Sequence, residues 1–429
     1  MSRKLFRNAR IFTPVDHGAP AAGKGQGKVR RFEKGALLCR GGVVEAAGEE
    51  RDVLRTLSPR DVDMEVDCEG LCLIPGLVDP HTHMCFAQRR EAEFSLRLAG
   101  TDYLEILRQG GGILSSVRAV RQTSEDALYE NTRQHALSAL RFGTTTLEIK
   151  SGYGLEEEAE LKMLRAVERV GRQTPLDVAP TFLGAHAIPE EHAAAPDEYV
   201  DLLIREMIPT VRRQGIARFC DVFCEQGVFS VDQSRRILQA AGQAGLKLKI
   251  HADEVHDLGG AGLAAELRAV SAEHLLNAND ENLRSMVEQG VTAVLLPGTA
   301  YSLRKPYARA RTMVEMGLPL AIATDCNPGS CYCESMPFVF GLAVLNMGLS
   351  VAEALVAATL NAAYAVDMAP AVGSLDVGKQ ADFLLLDGDS PAILAYHAGV
   401  SPVVQVYKLG ERVSGPHPSA GRRVGGNES

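Results

Sequence analysis

The sequence predicts an α/β fold: a (β/α)8 TIM-like barrel with a small β-sandwich domain built from both termini. Apolar, β-rich runs alternate with helical periodicity through the middle of the chain, the pattern of a parallel barrel. Short strand-like runs with turn residues gather at the two ends, and neither end has enough apolar residues for its own core. Most of the middle runs end in a residue that titrates or can bind a metal, as barrel strands do at an active face.

Residues 1–75 supply the first part of the small domain. Strands are expected at Leu5–Thr13, Gly35–Cys39, Val43–Ala47 and Leu71–Ile74, with Gly41-Gly42 as a hairpin turn. His17–Lys28 is a Gly/Ala-rich loop, and the basic cluster from Lys24 to Arg31 reads as a solvated hairpin tip.

The barrel is expected over residues 76–372. Its strand-like runs end at His83, Lys150, His186, Glu225, Glu254, His274, Pro297 and Asp325. Helical periodicity fills the gaps, at Glu156–Gln173 with an acidic first turn, Val231–Ala244 and Asp280–Gln289. A doubly wound open sheet is the alternative, but no G-x-G-x-x-G follows a first strand. Gly110-Gly111-Gly112 follows a helical stretch and lacks the Lys-Ser/Thr of a phosphate loop. Residues 373–413, with strand-like runs at Ser374–Asp387 and Val403–Leu409, complete the small domain. Residues 414–429, rich in Gly, Pro, Ser and Arg, are expected to be a disordered tail.

Composition narrows the function. The chain has 429 residues, 46% of them hydrophobic, and 54 acidic against 45 basic residues for a net charge of −9. No clustered Lys/Arg face suggests nucleic acid, and no apolar run is long enough to span a membrane. Nine cysteines, mostly inside strand-like runs, fit a reducing compartment, so a cytoplasmic location is expected. A homodimer acting on a small molecule is the expected assembly.

The chemistry gathers around Ile74-Pro75-Gly76-Leu77-Val78-Asp79-Pro80-His81-Thr82-His83. In an extended chain alternate side chains share a face, so His81 and His83 project together. With His251 and the carboxylate of Asp325 they make three nitrogens and an oxygen. This set suits one metal ion per subunit, zinc or alternatively iron, with a position left for water. Such an ion lowers the pKa of water toward neutrality. Glu254, three residues after His251, and His274 are the acid–base candidates beside Asp325. Lys150 is a strand-end lysine of a kind that can bridge two metals, but the ligand set for one ion is already complete. Cys326, Cys331 and Cys333 lack a second pair at finger-like spacing and read as incidental thiols.

Pro75-Gly76-Leu77-Val78-Asp79-Pro80-His81-Thr82-His83, His251-Ala252-Asp253-Glu254 and Ala323-Thr324-Asp325-Cys326-Asn327-Pro328-Gly329 together resemble the amidohydrolase superfamily. A second set of stretches resembles one ring-opening branch of it. These are Arg90-Glu91, Gln109-Gly110-Gly111-Gly112-Ile113-Leu114-Ser115, Glu148-Ile149-Lys150-Ser151-Gly152-Tyr153-Gly154-Leu155 and Phe182-Leu183-Gly184-Ala185-His186. The likeness runs from about Phe6 to Val413 and departs at Met84-Cys85 and in the Gly-rich loop near residue 20.

The resemblance implies a hydrolase that opens the ring of 4-imidazolone-5-propanoate to give N-formimidoyl-L-glutamate, the third step of histidine degradation. A propionate tail needs a cation and hydrogen-bond donors. Arg90 can clamp it, Tyr153 and His186 add donors, and Glu254 meets the ring N–H. Arg89 is chemically as good a cation, and only the resemblance favours Arg90. Asn327, Gly329 and Ser330 follow Asp325 and are expected to reach the ring or the carboxylate. The competing readings are another cyclic amidohydrolase or deaminase, or a barrel that has kept its fold without catalysis. The first lacks a use for Arg90 and Tyr153; the second should have lost a ligand, and none is missing.

Overall fold

The structure is a computed structural model that describes residues 2–55, 57–58, 61–101, 105 and 111–415. The expected tail lies outside the described residues, apart from its first two positions.

The strands of the two ends interleave in one eight-stranded sheet. Its path is β16-β15-β14-β5-β1-β2-β3, with β4 added on β1. From the N-terminal part come β1 (Arg3–Pro14), β2 (Val29–Arg40), β3 (Val43–Glu49), β4 (Met64–Asp67) and β5 (Cys72–Pro75). From the other end come β14 (Phe383–Leu386), β15 (Val403–Lys408) and β16 (Glu411–Ser414). The seam is antiparallel, with Ile74 opposite Leu384. Phe383 stacks on Tyr407 with ring centroids 4.5 Å apart, and Phe6 meets both edge-on at 4.7 and 5.0 Å. Each end thus supplies part of one apolar core, which burial of rings on this scale makes cohesive.

Gly76 carries the chain directly from this sheet into the barrel. A Cβ there would strike the Thr145 side chain, so the close approach of the two sheets requires glycine. The barrel strands are β6 (Leu77–Asp79), β7 (Thr144–Lys150), β8 (Asp177–Ala185), β9 (Phe219–Cys224), β10 (Lys247–Ala252), β11 (Ser271–His274), β12 (Thr292–Leu295) and β13 (Leu320–Ile322). All eight run parallel in sequence order. The ring closes between first and last strands: Asp79 accepts from Thr324 N at 3.1 Å and Thr324 Oγ1 at 2.5 Å, and Thr82 bridges Cys326. The three expected helices form at Glu157–Gln173, Val231–Gln243 and Asp280–Gln289. The second begins with a Ser230/Gln233 capping box and the third with an Asn279 cap.

Two expectations change. The loop between β1 and β2 is not a purely solvated tip. Gln26 is fully buried and brackets the start of β13, donating to Leu320 O at 3.2 Å and accepting from Leu320 N at 3.0 Å. Asn361 anchors the same loop through Ala21 N and O, both at 2.8 Å. Burying this backbone requires such partners, while Lys24 and Lys28 stay exposed. The second change is β4, whose Met-Glu-Val-Asp has a single buried residue and so little strand signal. All nine cysteines are free thiols, and no described helix is long and apolar enough to cross a membrane.

Candidate metal centre and active site

His81 and His83 follow β6 in a segment held on both sides. Asp325 N donates to His81 O at 3.1 Å, His83 N to Cys326 O at 2.9 Å, and Lys150 N to Thr82 O at 3.0 Å. The alternation expected from the sequence therefore turns both imidazoles to one place. His83 Nε2 lies 3.2 Å from His81 Nε2 and 3.2 Å from His251 Nε2. Asp325 Oδ1 lies 3.5 Å from Nε2 of both His81 and His83. A tetrahedral ion with metal–nitrogen bonds of about 2.1 Å has ligand–ligand edges of roughly 3.4 Å. These four edges are of that length, with His81, His83 and Asp325 forming one group that could hold an ion and His81 also grouping with His251 and His274. Three imidazole nitrogens this close cannot all satisfy one another by hydrogen bonding, whereas a cation satisfies every lone pair.

Electrostatics agree. Burial, and then the charges around them, hold His81, His83 and His274 well below the usual imidazole range, so their lone pairs are available. Burial alone would lower His251 too, but Asp221 more than reverses this. Burial pushes Asp325 up to about 6 against a hydrogen bond from Thr299 Oγ1 to its Oδ2, and a bound cation would draw it back to the carboxylate. His274 and Asp325 both have left-handed backbones, φ +71° and +53°, a strain characteristic of functional positions.

A cavity of about 750 Å³ opens beside the ligands. Every site residue named from the sequence lines it except His81, which lies beneath, fully buried. Burial, then the Asp325 charge, lifts Glu254 to about 7, and its Oε1 lies 3.6 Å from His274 Nδ1. The intervening Asp253 accepts four backbone N–H bonds from Leu258 to Ala261 at 2.9–3.0 Å and so pins the His251–Glu254 turn. Glu225 accepts from Val255 N at 2.9 Å and pairs with His256, so it shapes the wall of the site.

Several readings are refined by these contacts. Lys150 ends its strand as expected but points into the barrel, not the cavity. It is fully buried between Glu148 at 2.6 Å and Asp221 at 2.8 Å, which raise its pKa against burial. That ammonium leaves no place for a second ion bridged by it. His186 Nδ1 lies 3.0 Å from Gly152 O, which only accepts, so this nitrogen carries the proton. Burial lowers the ring to about 3, so it is neutral and its Nε2 offers a lone pair rather than the expected donor. It stacks on His83 with centroids 4.9 Å apart. Tyr153 is buried beside it. Asn327 spends its amide within its own loop, on Asp325 O, Ser330 Oγ, Gly329 N and Ser330 N at 2.7–2.8 Å. It therefore builds the loop that carries Gly329 and Ser330.

Sequence reasoning missed Asp221, Thr299, Glu160, Arg97 and Lys305. Glu160 accepts from Gly152 N, Gly154 N and Leu155 N at 2.7–3.1 Å and folds the loop that presents Tyr153. The glycines of Ser151-Gly152-Tyr153-Gly154 were a signal for it. Gly152 has φ +103°, and a Cβ on Gly154 would lie 2.6 Å from Glu160 N. Arg97 and Lys305 are further cations lining the cavity.

A parallel barrel with a buried His/Asp cluster at the C-terminal ends of its strands is the arrangement of a metal-dependent hydrolase. A sequence profile of the amidohydrolase family matches residues 72–413, and the chain belongs to that family. Its relatives narrow the branch. It is 67% identical to the imidazolonepropionase of Syntrophobacter fumaroxidans, covering 97% of this chain and 100% of that one. It is 62% identical to the imidazolonepropionase of Desulfotalea psychrophila, covering 96% and 100%. Among solved structures the fold is shared with an adenosine deaminase from Xanthomonas campestris, with TM-score 0.68, 19% identity and coverage of 96% and 92%. It is also shared with E. coli guanine deaminase, with TM-score 0.70, 14% identity and coverage of 97% and 100%.

Proposed function

We infer that this chain opens the ring of 4-imidazolone-5-propanoate with water, giving N-formimidoyl-L-glutamate in histidine degradation. The observation that carries the reading is one cavity lined by His83, His251 and Asp325, with His81 buried against them, and by Arg90 and Tyr153. A deaminase of the same barrel acts on a purine with no carboxylate tail, and would have no use for that arginine. The full-length identity to named imidazolonepropionases supports the same choice.

In this reading His81, His83, His251 and Asp325 hold zinc, with iron the alternative, because three imidazoles and a carboxylate suit both. When bound, the metal activates water and polarises the ring carbonyl. The protein supplies the rest. Arg90 binds the propionate, and Tyr153 donates its hydroxyl. Glu254 as a carboxylate accepts the ring N–H, and His274 donates to the oxygen that gains charge as the ring carbonyl is attacked. Asp325, whose Oδ2 accepts from Thr299 Oγ1, would take the proton released by the attacking water and pass it to the departing ring nitrogen. Ser330 lines the same cavity as Arg90 and would add a contact to the substrate there. The nine unpaired thiols suit a cytoplasmic setting. Phe338, Leu345 and Val400, exposed around one apolar cavity, suit a homodimer contact.

Turnover in ¹⁸O-labelled water tests the reaction. Hydrolysis at the ring carbonyl places one labelled oxygen in the new carboxylate of N-formimidoyl-L-glutamate. Unlabelled product, or no consumption of the imidazolone, overturns it.

A further inference from the structure

Arg90 does not stand alone in the cavity. Its Nε lies 3.0 Å from both carboxylate oxygens of Glu93, and its Nη2 lies 2.7 Å from Glu93 Oε2. Both side chains are largely buried, 12% and 17% exposed. Glu93 is itself fixed from the far side, where Oε1 accepts from Gly112 N at 3.1 Å and Ser115 Oγ at 3.4 Å. Gly112 has φ +76° as it turns into the helix Ile113–Gln122, the backbone that points its N–H at Glu93. This gives a use to part of the Gly110-Gly111-Gly112-Ile113-Leu114-Ser115 stretch, for which the reaction itself had none.

A guanidinium has five N–H groups in a planar fork. Glu93 takes the side edge, Nε–H and one hydrogen of Nη2. What remains is the end edge, formed by Nη1 and the outer hydrogen of Nη2. Nη1 packs on Gly329, where a Cβ would come within 2.5 Å of it. Glu93 thus holds one edge of the guanidinium, and the lack of a side chain at Gly329 leaves room for the rest of it.

We propose that Glu93 is a positioning residue for substrate recognition: its carboxylate holds Arg90 so that the end edge of the guanidinium is presented to a carboxylate ligand in the cavity. The proposal rests on the reading of Arg90 as the propionate clamp. A simple charge argument predicts the opposite effect, since an acid beside Arg90 weakens its pull on an anion. The sign of the effect separates the two.

The test compares KM and kcat for 4-imidazolone-5-propanoate in the metal-loaded full chain and four variants. Glu93→Ala should raise KM about tenfold, the scale of losing an oriented charge-assisted contact, and leave kcat within about twofold. Glu93→Gln keeps one acceptor and should fall between wild type and Glu93→Ala. Arg90→Ala should raise KM, and adding Glu93→Ala to it should cost little more, because the two act as one unit. Bound metal should be the same in all. A KM that falls or stays unchanged in Glu93→Ala, while Arg90→Ala raises it, overturns the role of Glu93 and leaves the clamp standing. An unchanged KM in Arg90→Ala overturns the clamp and Glu93 with it. Should Glu93→Ala not fold, Glu93→Gln decides: a raised KM supports the proposal and an unchanged one refutes it.

Discussion

Asp221 Oδ2 lies 3.1 Å from His251 Nδ1, and the same oxygen lies 2.8 Å from the ammonium of Lys150. One fully buried carboxylate therefore joins a charge pair in the barrel interior to the back of a metal-type imidazole. The Asp221 charge favours the proton on the nearby Nδ1, which leaves Nε2, the nitrogen that faces His83, to carry the lone pair. The neighbouring Glu148, Lys249 and Glu273 extend the cluster, with Lys249 donating to Pro80 O at 3.0 Å and Ala365 O at 3.2 Å.

Asp221→Asn should weaken metal binding about 10–100-fold, as losing an outer partner of a ligating histidine does. It should also destabilise the fold, because Lys150 loses one of its two counter-charges, though Glu148 remains. Competition against a chelator of known affinity reads the first effect, and thermal unfolding the second. Unchanged metal affinity would show that Asp221 serves the barrel alone.

Arg90 and Arg89 should behave oppositely. Arg90→Ala should raise KM roughly 10–100-fold through the lost charge-assisted contact, with metal content unchanged. Arg89 is exposed and lies over the Tyr332 ring, 5.4 Å from its centroid, and does not line the cavity. Arg89→Ala should be nearly silent. Steady-state kinetics on the two variants checks the contrast, and the reverse pattern would move the clamp to Arg89.

The pH profile should carry the signature of Glu254. Burial, and then Asp325, raise its pKa to about 7, so it is neutral below that pH and a carboxylate above it. Accepting the ring N–H needs the carboxylate. Activity should therefore rise with pH along an acidic limb at or below about 7, since a nearby cation favours the charged form. Glu254→Gln should remove the limb from the kcat/KM profile. A limb that survives the substitution belongs to another group.

Ending the chain at Gly373 should unravel the N-terminal strands. It strips β14 from β5 and removes Phe383 and Tyr407 from the Phe6 cluster. Limited proteolysis should then cut within the N-terminal strands β1–β5 and should spare them in the full chain. Resistance in the truncated chain would mean that those strands have a core of their own.

The gathering of His81, His83, His251 and Asp325 in one place was legible, because a strand's alternation and a motif's spacing determine direction. Lys150 shows where that fails. Its place at a strand end was clear, but its burial against Asp221 depends on a residue two strands away in the barrel. Glu93 and Asp221 left no trace because a carboxylate's partner is fixed by folding, not by spacing. The tautomer of His186 was out of reach for a similar reason, since it is set by a carbonyl 34 residues away. In the small sheet, strands with clear apolar faces were visible, while β4, exposed at three of four positions, was not.

The most direct test removes the metal and restores it. Chelator-treated protein should leave the absorbance of 4-imidazolone-5-propanoate unchanged. Adding back zinc or iron should restore its decay in proportion to metal bound, saturating at one ion per chain. His251→Ala, folded by circular dichroism, should bind no metal and stay inactive. Equal turnover with and without metal, or full metal occupancy in His251→Ala, would contradict the account.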